Sequence, residues 1–516
     1  MKKITVFALV LALTAFGVAP ATAQDAYNPD MTPTADGRAT FLVGEDGPAV
    51  HFSIMLAGKN NIQWTCESVT DPECSRSKAD YIASSSLLKV CTSEADRNCV
   101  VRLELAGEDG IFQPATFLRH TNGMNFAPHA GTGFMGATTP SLWSVPGVPS
   151  KSGTTDYAVM VRAENHMNWS TGRFETNGLI ASVIPYRELK GDYEAPYQYT
   201  TDENHRGEVG FAVGGGGPQC AWAEDGTCGV LQDFAPNTRV KISVRVSDEV
   251  GGWFKGRIKN PLISVSRSVP GMNDITVEAA PAVVPRMVYQ TNLSSLTPTE
   301  RKYAMDNGIG GLWDKSIMTW SRAGDPVTFG YVNYLRRKIA DTTSGVNTFW
   351  NFASSKQESS NPCLADTSRV LGIVTTNAMV YDGGIPKFRN GFLDYQVAGM
   401  HYEPDGFTKV QGSYDLVVRS EVARCLYGFA NAPLSATISV VGGGSKSIAT
   451  TIVNEKNGWL KLAAYGFTFS KKTIRAKITR AKPTRIVCVS VADESKVRNI
   501  RAVNPRCPKG FKPAQS

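Results

Sequence analysis

The clearest pattern in the chain is the run 239–246, Arg-Val-Lys-Ile-Ser-Val-Arg-Val. Val240, Ile242, Val244 and Val246 fall on one face of a strand, and Arg239, Lys241, Ser243 and Arg245 on the other. That alternation predicts a half-buried antiparallel sheet. Residues 39–56 and 98–106 alternate or run in the same way between Gly and Asp turns, and further strands are predicted at 262–266 and 275–278. Glu-Asp-Gly occurs at 45–47, 108–110 and 224–226, each time as a predicted turn. Residues 279–286 carry Pro281 and Pro285, each of which holds its predecessor in extended space, and read as a linker.

Beyond that stretch the period changes. Thr297-Pro298-Thr299-Glu300 is a capping box with proline at the first helical position, and predicts a helix over 298–306. Asp325-Pro326 predicts a second over 326–340, with Val327, Tyr331, Tyr334, Leu335 and Ile339 as its apolar stripe. Trp313, Trp320 and Trp350 fall in this region and read as a small core rather than a ligand platform. Strand texture returns from Val370. Residues 391–402 and 407–418 flank Glu403-Pro404-Asp405-Gly406, a hairpin signal. Four short strands at 435–441, 447–453, 459–464 and 473–479 suit a small Ig-like sandwich. Alternation puts Leu460 and Leu462 on one face, with Trp459 and Lys461 on an outer one.

The expected fold is therefore mainly β. It is a multidomain antiparallel β-sandwich architecture with a small helical segment at about 297–341 and an Ig-like C-terminal sandwich. The segments are a signal peptide over 1–23, an N-terminal β-sandwich domain over 24–278, the linker 279–286, a helical region over 287–360, a β-rich region over 361–434, the Ig-like domain over 435–480 and a basic tail over 481–516. The chain's 516 residues are about three domains at roughly 150 residues each. Its 19% charged residues, with 48 Gly and 28 Pro, argue against a coiled coil, a long helical bundle or an acidic disordered chain.

Lys2 and Lys3, the apolar stretch 4–18 and Ala21-Thr22-Ala23 have the order of a bacterial export signal, cleaved before Gln24. The apolar stretch is shorter than the about 20 residues a membrane helix needs. The expected location is secreted, or at the bacterial cell surface without a membrane span. Ten cysteines agree with an oxidising compartment. Cys66/Cys74, Cys91/Cys99 and Cys220/Cys228 are each eight residues apart around polar turn residues and predict three stapled hairpins. Cys363–Cys425 and Cys488–Cys507 would be the remaining pairs. Zinc is the rival reading, but no CxxC occurs and no His has ligand spacing to a Cys pair.

Asn361-Pro362-Cys363-Leu364-Ala365-Asp366, Leu371-Gly372-Ile373-Val374-Thr375-Thr376-Asn377, Val422-Ala423-Arg424-Cys425-Leu426-Tyr427-Gly428-Phe429, Asn457-Gly458-Trp459-Leu460 and the end around Cys488 and Cys507 resemble an uncharacterised family of secreted actinobacterial proteins with a Cys-containing basic C-terminal tail. The resemblance covers the C-terminal third best. It implies export, the 363–425 and 488–507 pairings and an envelope setting. It carries no activity over to this chain.

Catalytic signatures are weak. There is no G-x-S-x-G or H-E-x-x-H. Ser75-x-x-Lys78 lies beside Cys74 instead of opening a helix; His120, His129 and His166 are scattered; and Gly214–Gly217 lack the Lys-Ser/Thr of a phosphate loop. No cofactor or metal is expected. The richest patch is 185–205, where Tyr186, Tyr193, Tyr197 and Tyr199 lie among Glu188, Asp192, Glu194, Asp202 and Glu203, with Trp169 and Trp253 expected on the same sheet. Aromatic faces stack on sugars, and carboxylates bind hydroxyls or Ca²⁺. The net charge of +8 suggests a nucleic-acid or membrane partner until it is located. Residues 471–516 hold thirteen Lys/Arg against Asp493 and Glu494, which leaves the rest of the exported chain mildly acidic. No nucleic-acid partner is therefore expected; cell-wall polymers or extracellular glycans are. The expectation is a disulfide-stabilised, envelope-associated binding or adhesion protein. The alternative is a secreted polysaccharide-acting hydrolase with Asp/Glu catalysis in the N-terminal β domain.

Overall fold

A computed structural model describes residues 37–44, 52–60, 62–191, 193, 220–310, 317–355, 361–366, 368–428, 434–441, 450–469, 472–480, 484–502 and 505–514. The export signal, the first Glu-Asp-Gly, Trp313 and the four glycines 214–217 lie outside these residues. The protein is 56% strand and 7% helix, in several mostly antiparallel sheets, as a multidomain β-sandwich architecture requires.

A central sheet organises the fold, with Ser141–Ser144 and Thr116–His120 added beside Asp156–Asn168 and eleven strands in its main row. In spatial order these are Ile62–Thr65, Ile54–Lys59, Tyr81–Leu87, Asp156–Asn168, Arg173–Lys190, Asn351–Ser355, Gly252–Ser266, Val370–Thr376, Gln411–Arg419, Trp459–Thr468 and Thr450–Lys456. Only Gly252–Ser266 and Val370–Thr376 run parallel among these pairs. Val370–Thr376 shows why this sheet is buried on both sides. Val370 and Ile373 face one core, Leu371 and Val374 another, and all four are inaccessible or nearly so. A continuous apolar run is what a strand covered on both faces requires.

The second sheet closes the first core. It pairs Cys99–Ala106, Arg239–Ser247, Met272–Arg286 and the far half of Gly252–Ser266. Val240, Ile242, Val244 and Val246 are buried as their alternation predicts. Their opposite face is less open than expected. Arg245 is also buried, paired with Asp274 at 2.7 Å and donating to the carbonyls of Glu94 and Asp96. Gly252–Ser266 passes from one sheet to the other at a register shift between Lys259 and Leu262, where Asn260 takes φ 57°. The third sheet, Val380–Tyr381, Lys387–Arg389, Phe392–Ala398, Lys472–Arg480 and Leu434–Val441, packs on the other face of the central sheet through Leu393, Tyr395, Ile474 and Ile478. Arg38–Gly44 joins Val288–Asn292, Ile317–Arg322 and Gly308–Gly310 in a smaller sheet at the border of this core.

Several expected elements change under tertiary packing. Residues 279–286 are extended, but as the end of strand Met272–Arg286, paired with Gly345–Phe349. The capping box forms: the Thr297 N–H donates to Glu300 at 2.7 Å and the Glu300 N–H to Thr297 Oγ1 at 3.3 Å, starting helix Pro298–Asn307. The second helix is only Thr328–Leu335. It buries Phe329, Tyr331, Val332 and Leu335 and leaves the expected Val327 and Tyr334 exposed. The turn 403–406 exists, with the Gly406 N–H donating to the Glu403 carbonyl. Its flanks pair only beside the turn, Tyr402 with Lys409; farther out they part, Phe392–Ala398 into the third sheet and Gln411–Arg419 into the central one. The strands expected as an Ig-like unit divide in the same way, Leu434–Val441 and Lys472–Arg480 outside, Thr450–Lys456 and Trp459–Thr468 at the centre.

All ten cysteines are paired as expected: 66–74, 91–99, 220–228, 363–425 and 488–507, with Cα separations from 5.1 to 6.1 Å. One of the three short bridges staples a hairpin, Cys220–Glu224 with Thr227–Leu231. Cys66 bridges to a 3-10 turn at Pro72–Cys74. Cys91 follows a two-residue strand that runs parallel to the one Cys99 begins. An eight-residue spacing thus brings the sulfurs together in three different backbone settings. Among the described residues no helix is long and apolar enough to cross a membrane.

Candidate functional site

The described residues of the expected aromatic patch, Tyr186, Tyr193, Trp169 and Trp253, lie in separate places. The end of Arg173–Lys190 leaves the central sheet, and Tyr186–Lys190 pairs with Thr227–Leu231 of the Cys220–Cys228 hairpin. There Tyr186 is 2% exposed and lies edge-on to Trp222, ring centroids 5.3 Å apart. Burial raises its hydroxyl pKa. Tyr193 packs against the 220–228 disulfide. Trp169 sits at a hairpin tip, its indole N–H donating to the Asp80 carbonyl. Trp253 is buried in the core between the central and third sheets, against Gly372. Neither Tyr186 nor Trp253 can offer a face to a sugar, because each is packed on protein. Tyr197, Tyr199, Asp192, Glu194, Asp202 and Glu203 lie outside the described residues.

At the base of this region a charged cluster was not legible in the sequence. Arg119 grips Glu224 with two parallel hydrogen bonds, 2.7 and 3.0 Å, over the Trp222 ring, and approaches Glu188 at 3.9 Å. The Asn122 N–H donates to the same Glu224 carboxylate at 2.8 Å. Burial alone would raise the Glu224 pKa, but the hydrogen bonds and charge of Arg119 outweigh it and hold the group below the usual range. A glycosidase acid needs the opposite, a carboxyl kept protonated near neutrality.

The other candidate groups are separately engaged. Ser75 Oγ pairs with Ser77 and Lys78 with Glu73, so no serine–lysine couple forms. His120 is bonded to the Thr139 carbonyl, His129 to Thr132 and His166 to Asn177, with Glu175 3.5 Å away. Among the described residues no three His, Cys, Asp or Glu have the arrangement of a metal site.

The C-terminal residues form a surface instead of a loose tail. Lys472–Arg480 is built into the third sheet, with Arg475 on Asp394 and Lys472 buried. Thr484–Ser490, Val497–Ala502 and Phe511–Pro513 then make a three-stranded sheet held by Cys488–Cys507. Register and the two-residue period put Arg485, Arg501 and Lys512 on one face, beside the exposed Val487 and Val497. Arg485 stands directly across from Arg501. Lys512 and Lys496 pair with Glu494 and Asp493; among the described residues Arg485, Arg501, Arg506 and Lys509 have no carboxylate partner. Like charges opposed across strands destabilise a sheet by a few tenths to about 1 kcal/mol.

No protein-family model, curated protein or solved structure matches this chain.

Proposed function

We propose that this is a secreted, cell-envelope-associated protein that binds without catalysis, a layered β body holding a rigid cationic sheet against anionic wall polymers or extracellular glycans. The observation that carries the reading is the opposed pair Arg485 and Arg501 on an exposed, disulfide-held face. The repulsion costs stability in the free protein and is relieved by a polyanion that lies across both side chains. The exposed valines between the cations add apolar contact for a polymer backbone. Five disulfides fit the extracellular setting.

The test is co-sedimentation of the full-length protein with purified cell wall and with wall stripped of its anionic polymers, over a salt series. Binding to intact wall only, falling as salt rises, supports the reading. Equal binding to both wall preparations at all salt concentrations rejects it. The hydrolytic alternative predicts release of reducing ends from the same wall, and loss of that release in Glu188→Gln.

A further inference from the structure

On the inward face of the central sheet, Gln411–Arg419 and Trp459–Thr468 place Asp415 opposite Ala463, and Lys461 opposite Val417. Lys461, Ala463 and Tyr465 share that face by the two-residue period. Lys461 and Asp415 are 8% and 1% exposed. The third participant arrives from another layer. Asn260, at the bend where Gly252–Ser266 changes sheets, receives a hydrogen bond from Lys461 Nζ on its side-chain oxygen. Its backbone N–H donates to Asp415 Oδ2 at 3.0 Å. Asp415 Oδ1 accepts from the Tyr465 hydroxyl at 2.5 Å and lies 3.7 Å from Lys461 Nζ. A primary amine, a carboxamide and a carboxyl group are thus held together inside the protein.

We propose that these residues form an intramolecular amide cross-link between Lys461 Nζ and Asn260 Cγ, with Asp415 as the proton carrier and ammonia as the leaving group. The neutral amine attacks the carboxamide carbon, forming the new C–N bond while the carbonyl electron pair moves onto Oδ1. As the bond forms, the protonated Asp415 delivers its proton to Nδ2 and takes the surplus proton from Nζ in exchange. The carbonyl re-forms, the bond from Cγ to Nδ2 breaks, and Nδ2 departs as ammonia. Asp415 ends as it began, and no oxidant, metal or cofactor enters the balance.

The surroundings favour each requirement. Burial raises the Asp415 carboxyl pKa against the opposing pull of Lys461 and Tyr465, and burial lowers that of the Lys461 ammonium. Both shifts favour the uncharged amine and the protonated acid that the first step uses. Two further cations lie near the cluster: Arg239, itself paired with Glu278 at 3.0 Å, donates to the Asn260 carbonyl, and Lys259 lies over the Tyr465 ring. They disfavour a second positive charge on Lys461. A buried Lys–Asp pair kept only for stability is a poor choice, since its desolvation offsets its attraction. An amide removes the lysine charge and ties residues 201 positions apart, joining the second sheet to the C-terminal half of the central one.

A proteolytic digest of the purified, reduced protein decides the matter without any variant, because an N-terminal Gln24 also loses ammonia when it cyclises and intact mass alone does not separate the two. The digest should yield a branched peptide joining the segments around Asn260 and Lys461, one ammonia below their summed mass. Lys461→Met and Asp415→Asn should each restore the unbranched peptides. Asn260→Asp should give the same branched peptide with loss of water in place of ammonia. A wild-type digest with Lys461 recovered in an unbranched peptide overturns the proposal. So does a wild-type branch at Asp415 with loss of water. Neither result bears on wall binding, which the charge of the C-terminal sheet governs separately.

Discussion

Two tryptophans that look alike in the sequence carry different weights once placed. Trp169 keeps its indole N–H on a backbone carbonyl at a hairpin tip, whereas Trp253 is enclosed against Gly372. Trp253→Ala should therefore cost about 3–5 kcal/mol by opening a cavity. Urea unfolding checks this, and wall binding of the variant that remains folded should be unchanged. Glu300 is a second residue whose role is electrostatic. Hydrogen bonds from Lys338 and Tyr334, with the Thr297 cap, pull its pKa down to about 2. A depressed carboxylate stabilises the fold fully above its unfolded pKa, near 4.5, and that contribution fades as pH falls towards 2. Glu300→Gln should lose about 1–2 kcal/mol at pH 7 and lose progressively less below pH 4.5, read from urea midpoints at several pH values. The cap itself was legible, because it is local. Lys461 was not. Its alternation with Leu460 and Leu462 assigns it correctly to the opposite face, but that face is closed by Asn260, two hundred residues away in sequence.

At the scale of elements, local signals survived and partners did not. Strands 239–247 and 370–376, helix 298–307 and the 403–406 turn arise from nearby residues, so the pattern that predicts them is the pattern that forms them. The prolines at 281 and 285 restrict the chain to extended space equally in a linker or a strand, and only Gly345–Phe349 alongside makes it a strand. The 403–406 turn does not decide whether its flanks stay together; here Phe392–Ala398 and Gln411–Arg419 take other strand partners and face one another across one core, Tyr395 against Tyr414. The cysteine pairs were readable because spacing limits their reach, although the backbone between them was not. The bridges differ in what they constrain. Cys363–Cys425 encloses 62 positions and ties helix Ser420–Tyr427 to the start of the C-terminal half, whereas the shorter loops enclose eight. On loop entropy, replacing Cys363 and Cys425 by serine should cost roughly 4 kcal/mol, against roughly 2.5 kcal/mol for any eight-residue pair. Denaturant midpoints of the four double variants, at equal m-value, give the comparison.

For the whole molecule, the decisive quantity is where the charge sits. A uniform excess of +8 would give weak, diffuse attraction to any polyanion. The fold divides the basic C-terminal residues into two groups. Those on Lys472–Arg480 are drawn into the third sheet, where Arg475 is neutralised by Asp394. Those beyond 484 remain on a small stapled sheet whose like-charged pair faces solvent. The sequence shows the basic end but not this division, which depends on which strand finds a neighbour. Only the second group should matter for attachment. Reversing it in the full-length protein, Arg485→Glu with Arg501→Glu, removes the cross-strand repulsion only by replacing it with a repulsion between acids. The fold should therefore be held about as well as before, and the surface changes sign. Affinity for intact wall should fall by at least about tenfold, equivalent to roughly 1.4 kcal/mol, and the residual binding should lose its salt dependence. Reversing Arg475 in the same way should disturb the Asp394 contact and lower stability without the same change in salt dependence. If the Arg485/Arg501 variant is retained on wall like the wild type, attachment belongs to another face and the cationic sheet serves only solubility.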